Sequence, residues 1–320
     1  MKIGIVISGG DVSGINNFIF QIARLANADI TIFNGGIPGL LDKNHQEVAW
    51  RDLVDFSIAA IPIITSGRTS RRLLRSEYET IAKKIKSLRI DVLIMAGGDG
   101  SLQFLNTLSE FDINCFGVGM TIDNDVYGSD YTIGFSTACE QIIKEVSRLR
   151  NTGRALPGRV FMVEILGGYC GELTLQSAIK SNADVALIPE SQLPLETLAE
   201  RVKHKLTQQN SVVILCSEGY TREYSPGFQG AIDTMIKQLE PQIGVRIRKT
   251  IVGYGLRNGD PTCEEIYQGT IMASEVVRCI QSGMKNKAII INSSNKPIPI
   301  DLISMKKRLV DTEGHHYKLA

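Results

Sequence analysis

Two acidic loops follow short apolar segments and carry side chains suited to phosphate and metal chemistry. The first, residues 96–101 (AGGDGS), follows apolar residues 92–95 and contains Asp99. The second, residues 121–125 (TIDND), follows residues 115–118 and contains Asp123 and Asp125. A glycine-rich turn leaves backbone N–H groups free to face phosphate oxygens, and a nearby carboxylate can bind Mg²⁺ or accept a proton from a hydroxyl. The two loops together predict phosphoryl transfer.

Two further polar segments are candidates for phosphate contacts. Residues 8–17 (SGGDVSGINN) join the first predicted strand to the first helix, and they fit a tight turn as well as a phosphate cradle. Residues 65–72 (TSGRTSRR) combine hydroxyls with guanidinium groups, whose planar fork suits phosphate oxygens. Arg68, flanked by Gly67 and hydroxyls, is the best ligand candidate in that segment, whereas solvent-exposed positions are favoured for Arg71 and Arg72.

Other kinds of site have little support in the sequence. A capping turn is the common structure for a triplet such as residues 123–125, but the second acidic loop at Asp99 favours a site. The four histidines lie without a nearby nucleophile pattern, which argues against a Ser-His-Asp arrangement. The six cysteines have no C-x-x-C spacing, so neither zinc nor a disulfide framework is indicated, and most should be buried.

Composition narrows the class of protein. The 320 residues are 43% hydrophobic and 22% charged, which is ordinary for a globular enzyme with two lobes. Because 35 basic residues balance 34 acidic ones, the net charge of +1 argues against nucleic acid or an anionic membrane as the main partner. No apolar run approaches the roughly 20 residues of a membrane span, and none resembles a signal peptide. We therefore expect a cytoplasmic protein.

Short apolar segments alternate with segments of helical periodicity along the chain. The predicted strands are residues 3–7, 30–33, 91–95, 115–118, 160–165, 185–188, 212–215 and 288–291. The predicted helices are residues 17–26, 78–88, 140–149, 173–179, 195–206, 231–239 and 265–280. Apolar strands separated by amphipathic helices are typical of βαβ units with a parallel sheet covered on both faces. The pattern predicts an α/β fold.

The order of the polar loops resembles that of the phosphofructokinase family. The matching segments are, in chain order, GGD at 9–11, SGR at 66–68, GGDGS at 97–101, TIDND at 121–125, LGGYCGE at 166–172, SEG at 217–219 and GYGLRNGDP at 253–261. The TIDND segment is highly specific to that family. The resemblance covers about the whole chain.

This resemblance implies an α/β fold of two Rossmann-like three-layer lobes with mostly parallel sheets and an active site in the cleft between them. A donor-binding lobe would comprise residues 1–135 plus about 252–303, and a sugar-phosphate-binding lobe about 136–251 plus 304–320. The resemblance also implies a homo-oligomer, a tetramer or a dimer. In such an assembly Arg159 and Arg248 would reach the sugar phosphate of a neighbouring subunit.

The implied activity is transfer of a phosphoryl group from ATP to the 1-hydroxyl of fructose 6-phosphate with Mg²⁺. Asp123 would be the catalytic base, with Thr121, Asp125 and Arg68 beside it. Asp99 would hold the Mg²⁺ ion. The residues implied for donor binding are Gly10, Arg68, Asp99, Gly100 and Ser101. Those implied for substrate binding are Thr121, Asp123, Asp125, Arg159, Leu166, Gly167, Glu218, Arg248, Tyr254 and Arg257.

Departures from the family pattern gather on the donor side. Met120 stands where ATP-using members typically have glycine and pyrophosphate-using members have lysine. Phe104 stands where a small glycine normally lets the nucleotide approach, whereas Gly100 is of the ATP-using type. The sequence leaves open whether Phe104 fills the nucleotide pocket or turns away from it. A pyrophosphate- or other-donor enzyme, and a catalytically weak regulatory paralogue that binds sugar phosphate, are the alternatives.

Overall fold

The computed structural model describes residues 1–42, 44–69, 71–224, 231–302, 308–314 and 317. The chain forms two compact units. Unit 1 comprises Met1–Thr137 and Arg257–Arg308, and unit 2 comprises Ala138–Leu256 and Leu309–Ala320. These limits, at residues 137, 257 and 308, lie a few residues beyond the predicted limits at 135, 252 and 303. The roles predicted for the two lobes stay predictions.

The elements alternate along the chain. The strands are β1 (Ile3–Ser8), β2 (Ile30–Phe33), β3 (His45–Val48), β4 (Val92–Gly97), β5 (Cys115–Gly119), β6 (Arg159–Ile165), β7 (Val185–Leu187), β8 (Ser211–Ser217), β9 (Ile247–Ile251), β10 (Lys287–Ile291) and β11 (Pro297–Asp301). The α-helices are α1 (Ile15–Ala26), α2 (Gly36–Leu41), α3 (Arg75–Ser87), α4 (Asp99–Ser109), α5 (Phe135–Ala155), α6 (Glu172–Ser181), α7 (Leu195–Gln208), α8 (Ala231–Ile243) and α9 (Cys263–Gln281). Short 3-10 helices occur at Trp50–Phe56, Tyr220–Tyr224 and Gly253–Arg257.

Unit 1 contains, among its described residues, a seven-stranded sheet in the order β11-β10-β5-β4-β1-β2-β3. The inner strands are parallel, and the outer pairs β10–β11 and β2–β3 are antiparallel. Helices α1 and α9 pack against each other. The strand residues Val6, Leu93 and Met95 share one apolar core with Ile81 of α3 and Leu105 of α4. The predicted α/β fold with mostly parallel strands is therefore confirmed.

Unit 2 has its own sheet and its own apolar core. In the described residues, its four strands are ordered β7-β8-β6-β9 and are parallel throughout. Val160 and Ile214 of the sheet are buried in one cluster with Leu198 of α7 and Met235 of α8. Since each unit buries a separate core, each positions its own loops at its own strand ends.

The sequence pattern missed three strands and two helices, and each group has its own physical reason. The missed strands β3, β9 and β11 all lie at sheet edges, where one side of the strand is unpaired and polar or proline residues are tolerated. The missed helices α2 and α4 contain glycine near their starts, and glycine disfavours helix. In both cases the tertiary context overrides a weak local signal.

Two smaller expectations can be compared with the structure. No helix in the described part of the chain combines the length and apolar character needed to cross a membrane. Five of the six cysteines are buried and unpaired, and only Cys263 is exposed. The prediction that most cysteines are small buried side chains is confirmed.

Candidate active site

Three strand ends of unit 1 lie side by side and place the polar loops together. Ser8 at the end of β1 pairs in register with Gly97 of β4, and Gly97 pairs with Gly119 of β5. Between β1 and β4 the strand order reverses, because β2 lies on the other side of β1. Such a switch point at the carboxyl ends of parallel strands is where open α/β sheets bind ligands.

The glycine loop after β1 is tied to the loop that carries Arg68. The amide of Gly9 donates a hydrogen bond to the carbonyl of Gly67 at 3.2 Å. In return, the Ser66 hydroxyl donates to the Gly9 carbonyl at 3.0 Å. A side chain at Gly10 would collide with the guanidinium of Arg257. The predicted donor residues Gly10 and Arg68 therefore belong to two loops that hold each other.

The loop predicted at Asp99, Gly100 and Ser101 is instead the first turn of helix α4, and this is a correction. Gly98 is its N-cap residue, and the cap has no side-chain hydrogen bond. The first amides of a helix have no partner within the helix and carry the positive end of its dipole, which suits a phosphate. Ser101 is buried, and its hydroxyl donates to the Ser8 carbonyl at 3.2 Å. The helix thus starts directly beside the end of β1.

Asp99 has the properties expected of a metal-binding carboxylate. Its Oδ2 atom accepts a hydrogen bond from Gln103 Nε2 at 2.9 Å, while its buried Oδ1 atom has no hydrogen-bond partner among the described residues. The described residues contain no group of three or more His, Cys, Asp or Glu side chains that could hold a metal by themselves. Mg²⁺ is usually bound by one or two carboxylates together with substrate phosphates. The residues present therefore fit Mg²⁺ bound jointly with a donor.

The second acidic loop is a tight turn whose backbone is held from several sides. The amide of Asp123 donates to the Thr121 hydroxyl at 3.1 Å. Asn124 is fully buried with a left-handed φ of 52°, and the Thr132 hydroxyl donates to the Thr121 carbonyl at 2.7 Å. Both Asp123 and Asp125 line the pocket described next. Asx-type turns tolerate the left-handed conformation at asparagine.

These loops surround one pocket of about 980 Å³ within unit 1. The pocket brings together nine of the predicted site residues. They are Gly10, Arg68, Asp99, Gly100, Ser101, Thr121, Asp123, Asp125 and Arg257. The pocket therefore combines helix-terminal amides, guanidinium groups and carboxylates, which is the set of groups that phosphoryl transfer requires.

The arginines of this pocket differ in what they already bind. Arg71 makes two hydrogen bonds to Glu77 at 2.7 and 2.8 Å, and these bonds, together with one from the Leu74 amide, lower the pKa of Glu77 to about 2. The guanidinium groups of Arg68 and Arg72 make no hydrogen bond or ion pair with any residue that the structure describes. A charge that is already paired contributes less to an incoming anion. Arg68 and Arg72 consequently keep more of their positive charge available to an anion than Arg71 does.

Phe104 belongs to the apolar core of unit 1 and also lines the pocket. It is 5% exposed, and its ring stacks on Tyr78 with 5.2 Å between ring centroids. Tyr78 in turn stacks on Phe111 at 6.0 Å. Met120 is 1% exposed. The side chains of Phe104 and Met120 are thus packed in the wall of the pocket. Phe104 therefore does not fill the nucleotide pocket, which the sequence left open.

We expect Phe104→Ala to destabilise the protein by about 3–5 kcal/mol, because it removes a buried ring and leaves a cavity in the core. Denaturant unfolding monitored by circular dichroism measures this change. Phe56→Ala is a matched control, since Phe56 is 49% exposed and should cost far less. Equal stability losses for the two variants would contradict the burial of Phe104.

Most of the remaining predicted substrate residues lie at the carboxyl end of the unit 2 sheet. Leu166 and Gly167 follow β6, and Glu218 follows β8. The Glu218 Oε1 atom accepts hydrogen bonds from the amides of Gly167 at 3.3 Å and Gly168 at 2.9 Å. Tyr254 follows β9 and is 77% exposed. Glu218 therefore fixes the glycine turn after β6.

Arg159 and Arg248 lie at the opposite end of the same sheet. Arg159 is the first residue of β6, and Arg248 is paired with Phe161 near the start of β9. Because β6 has 7 residues, its two ends are roughly 20 Å apart at about 3.3 Å per residue. Unit 2 therefore does not bring these two arginines together with Gly167 and Glu218.

The structure adds pocket residues that the sequence did not single out. Gln103 and Thr107 follow Asp99 at intervals of four along α4, so all three line the same face of that helix and the same pocket. Tyr78 and Leu73 complete this wall. The missed signal is the helical spacing itself, which becomes visible only once α4 is recognised as a helix.

The chain is similar to known proteins over most of its length. A sequence model described as Phosphofructokinase matches residues 2–280. The ATP-dependent 6-phosphofructokinase of Spiroplasma citri is 33% identical over 299 residues, covering 90% of this chain and 86% of that protein. The pyrophosphate–fructose 6-phosphate 1-phosphotransferase of Thermoproteus tenax is 28% identical over 323 residues, covering 97% of this chain and 95% of that protein.

A solved structure of similar fold is the phosphofructokinase from Saccharomyces cerevisiae. It matches with a TM-score of 0.83 at 25% identity over 94% of this chain, which spans about 45% of the yeast chain. The family match at residues 2–280 covers most of the 320 residues and includes every loop that forms the pocket. The chain therefore belongs to the phosphofructokinase family.

Proposed function

We propose that this chain is a cytoplasmic 6-phosphofructokinase-like enzyme that transfers a phosphoryl group from ATP to the 1-hydroxyl of fructose 6-phosphate. The observation that carries the proposal is the joint presence of Asp99, Asp123, Arg68 and the start of α4 in one pocket of about 980 Å³. The names of relatives such as the Spiroplasma citri protein support ATP as the donor. Gly100, which is exposed and of the ATP-using type, supports it as well.

Each side chain has a separate task in this proposal. Asp123 accepts the proton of the attacking hydroxyl, and Thr121 fixes the Asp123 backbone through the 3.1 Å hydrogen bond. Arg68 and the first amides of α4 bind the donor phosphates. Asp99 would hold Mg²⁺, which when bound offsets negative charge on the phosphates. Gln103 orients Asp99 by bonding the other carboxylate oxygen.

Arg159 and Arg248 are assigned to the acceptor phosphate of a neighbouring subunit. Their position at the opposite end of the sheet from Gly167 and Glu218 supports this assignment. The two sets of residues in one chain are too far apart to contact the same small sugar. The proposal therefore includes a homo-oligomer. Mixed oligomers provide the test.

We expect Arg248→Ala to raise the KM for fructose 6-phosphate roughly 10- to 150-fold, since a charge-assisted hydrogen bond to phosphate contributes about 1.5–3 kcal/mol. Arg246→Ala is the control, because Arg246 is exposed and precedes β9. Refolding Arg248→Ala together with Asp123→Asn should restore part of the activity if each site combines residues of two subunits. No recovery in the mixture would contradict the neighbouring-subunit assignment.

The reaction itself is tested by assaying the purified protein with ATP, GTP and pyrophosphate against fructose, tagatose and sedoheptulose phosphates. Mg²⁺ is titrated in the same assay for the wild type and for Asp99→Asn, which should need more Mg²⁺ for half-maximal rate. Transfer from ATP to fructose 6-phosphate supports the proposal. Transfer from pyrophosphate alone, or sugar-phosphate binding without transfer from any donor, would replace it with one of the alternatives.

A further inference from the structure

Glu265 is a fully buried carboxylate outside the pocket. It lies in the first turn of α9, and its amide donates to the hydroxyl of the N-cap residue Thr262 at 3.1 Å. Its Oε1 atom accepts a hydrogen bond from the amide of Gly134 at 2.7 Å. Its Oε2 atom accepts from the amide and the hydroxyl of Thr137 at 3.2 and 3.1 Å. Both oxygens of this fully buried carboxylate therefore have hydrogen-bond donors.

The carboxylate lies where the starts of three helices meet. Helix α5 begins at Phe135, so the amides of Gly134 and Thr137 have no hydrogen-bond acceptor within that helix. Gly14, the N-cap residue of α1, leaves no room for a Cβ because the Glu265 Cγ atom is only 2.5 Å from its ideal position. Glu265 therefore joins α9 to Gly14, at the end of the glycine loop, and to Gly134, at the end of the segment that begins at Thr121.

The contact with Gly134 is linked directly to the predicted base. The residue before it, Ile133, accepts the amide of Thr121 at 3.0 Å and donates its own amide to Gly119 at 2.9 Å. Thr132 adds the 2.7 Å bond from its hydroxyl to the Thr121 carbonyl. Residues 132–134 thus bind Thr121 through Thr132 and Ile133, and they bind Glu265 through Gly134. A shift of Gly134 would be passed to Thr121 and to the Asp123 amide that Thr121 binds.

We propose that Glu265 is a positioning residue that fixes the segment from Thr121 to Gly134 and thereby the orientation of Asp123. The proposal rests on the proposed function for its effect on rate, but the contact itself is independent of the reaction. Glu265 touches no substrate. It acts through the backbone that carries the catalytic carboxylate.

The chemistry of the site favours a carboxylate over an amide. All the hydrogen bonds to Glu265 that are described above come from donors, so a glutamine side chain would turn its own N–H groups toward one of them. Burial raises the pKa of Glu265 to about 7, and the hydrogen bonds from Gly134 and Thr137 oppose that shift. The buried carboxyl group therefore carries a desolvation cost in free energy that an apolar residue at this position would not have.

The test compares Glu265→Gln with Glu264→Gln. Glu264 lies in the same turn of α9 and is exposed, so its replacement makes the same change of charge without touching α5. We expect Glu265→Gln to speed hydrogen–deuterium exchange of the amides at residues 119–137, with exchange in α3 unchanged. We also expect kcat to fall at least tenfold while the KM for fructose 6-phosphate stays within about threefold. Glu264→Gln should match the wild type in both measurements.

A second variant covers the case in which Glu265→Gln does not fold. Thr137→Val removes one donor to the carboxylate, and it should produce a smaller change of the same kind that Thr137→Ser does not produce. Unchanged amide exchange at residues 119–137 in the folded variants would overturn the proposal, whatever their activity. An inactive wild type would refute the proposed function instead, and the exchange measurement would still decide the role of Glu265.

Discussion

Replacing Asp123 by asparagine should lower kcat by about 10²–10⁴-fold, the usual loss when a general base is removed. The amide keeps the shape of the carboxylate but cannot accept the proton of the sugar hydroxyl. The backbone of the turn should persist, because the substitution leaves the hydrogen bond from the Asp123 amide to the Thr121 hydroxyl and the buried Asn124 unchanged. Binding of fructose 6-phosphate, measured by calorimetry, should therefore stay within a few-fold.

A matched control for this experiment lies in the same loop. Asp130 is exposed, does not line the pocket and forms an ion pair with Arg308 at 3.6 Å. Asp130→Asn makes the same chemical change a few residues away and should leave kcat nearly unchanged. If Asp123→Asn retained the wild-type kcat at saturating substrates, a different group would have to accept the proton.

Replacing Arg68 by glutamine should lower kcat by about 10²–10³-fold, the loss typical when one preorganised charge-stabilising donor is removed. Arg68 is expected to act strongly because its guanidinium is not already neutralised within the described residues, in contrast to Arg71, which is bound to Glu77. Its loop is also held in place by the Gly9–Gly67 hydrogen bond. The effect should appear in kcat as well as in the KM for ATP.

Two further arginine variants separate this effect from a general loss of positive charge. Arg75→Gln changes an exposed residue of α3 that pairs with Glu79 at 3.9 Å and lies outside the pocket, so it should leave kcat unchanged. Arg71→Gln should cost less than Arg68→Gln, because it removes a charge that Glu77 already offsets. Equal losses for Arg68→Gln and Arg71→Gln would mean that the ion pair with Glu77 opens during the reaction.

The fold class and the identity of the polar loops follow from the pattern of apolar and polar residues along the chain. Apolar segments at β1, β4 and β5 are buried on both sides, and such segments have a strong and local pattern. Loops that follow parallel strands gather at one edge of a sheet, and Gly10, Asp99 and Asp123 line one pocket there. The roles assigned to them remain predictions until the variants are measured.

Contacts between side chains that are far apart in the chain depend on how the elements pack. Arg257 lies against Gly10, and Glu265 binds Gly134, because the order of the strands and the packing of α9 bring these segments together. Packing against Tyr78 of α3 likewise decides that Phe104 is buried in the core, which the sequence leaves open. Local propensity and periodicity carry no information on such contacts, since these depend on which elements pack together and on the rotamers that fill the space between them.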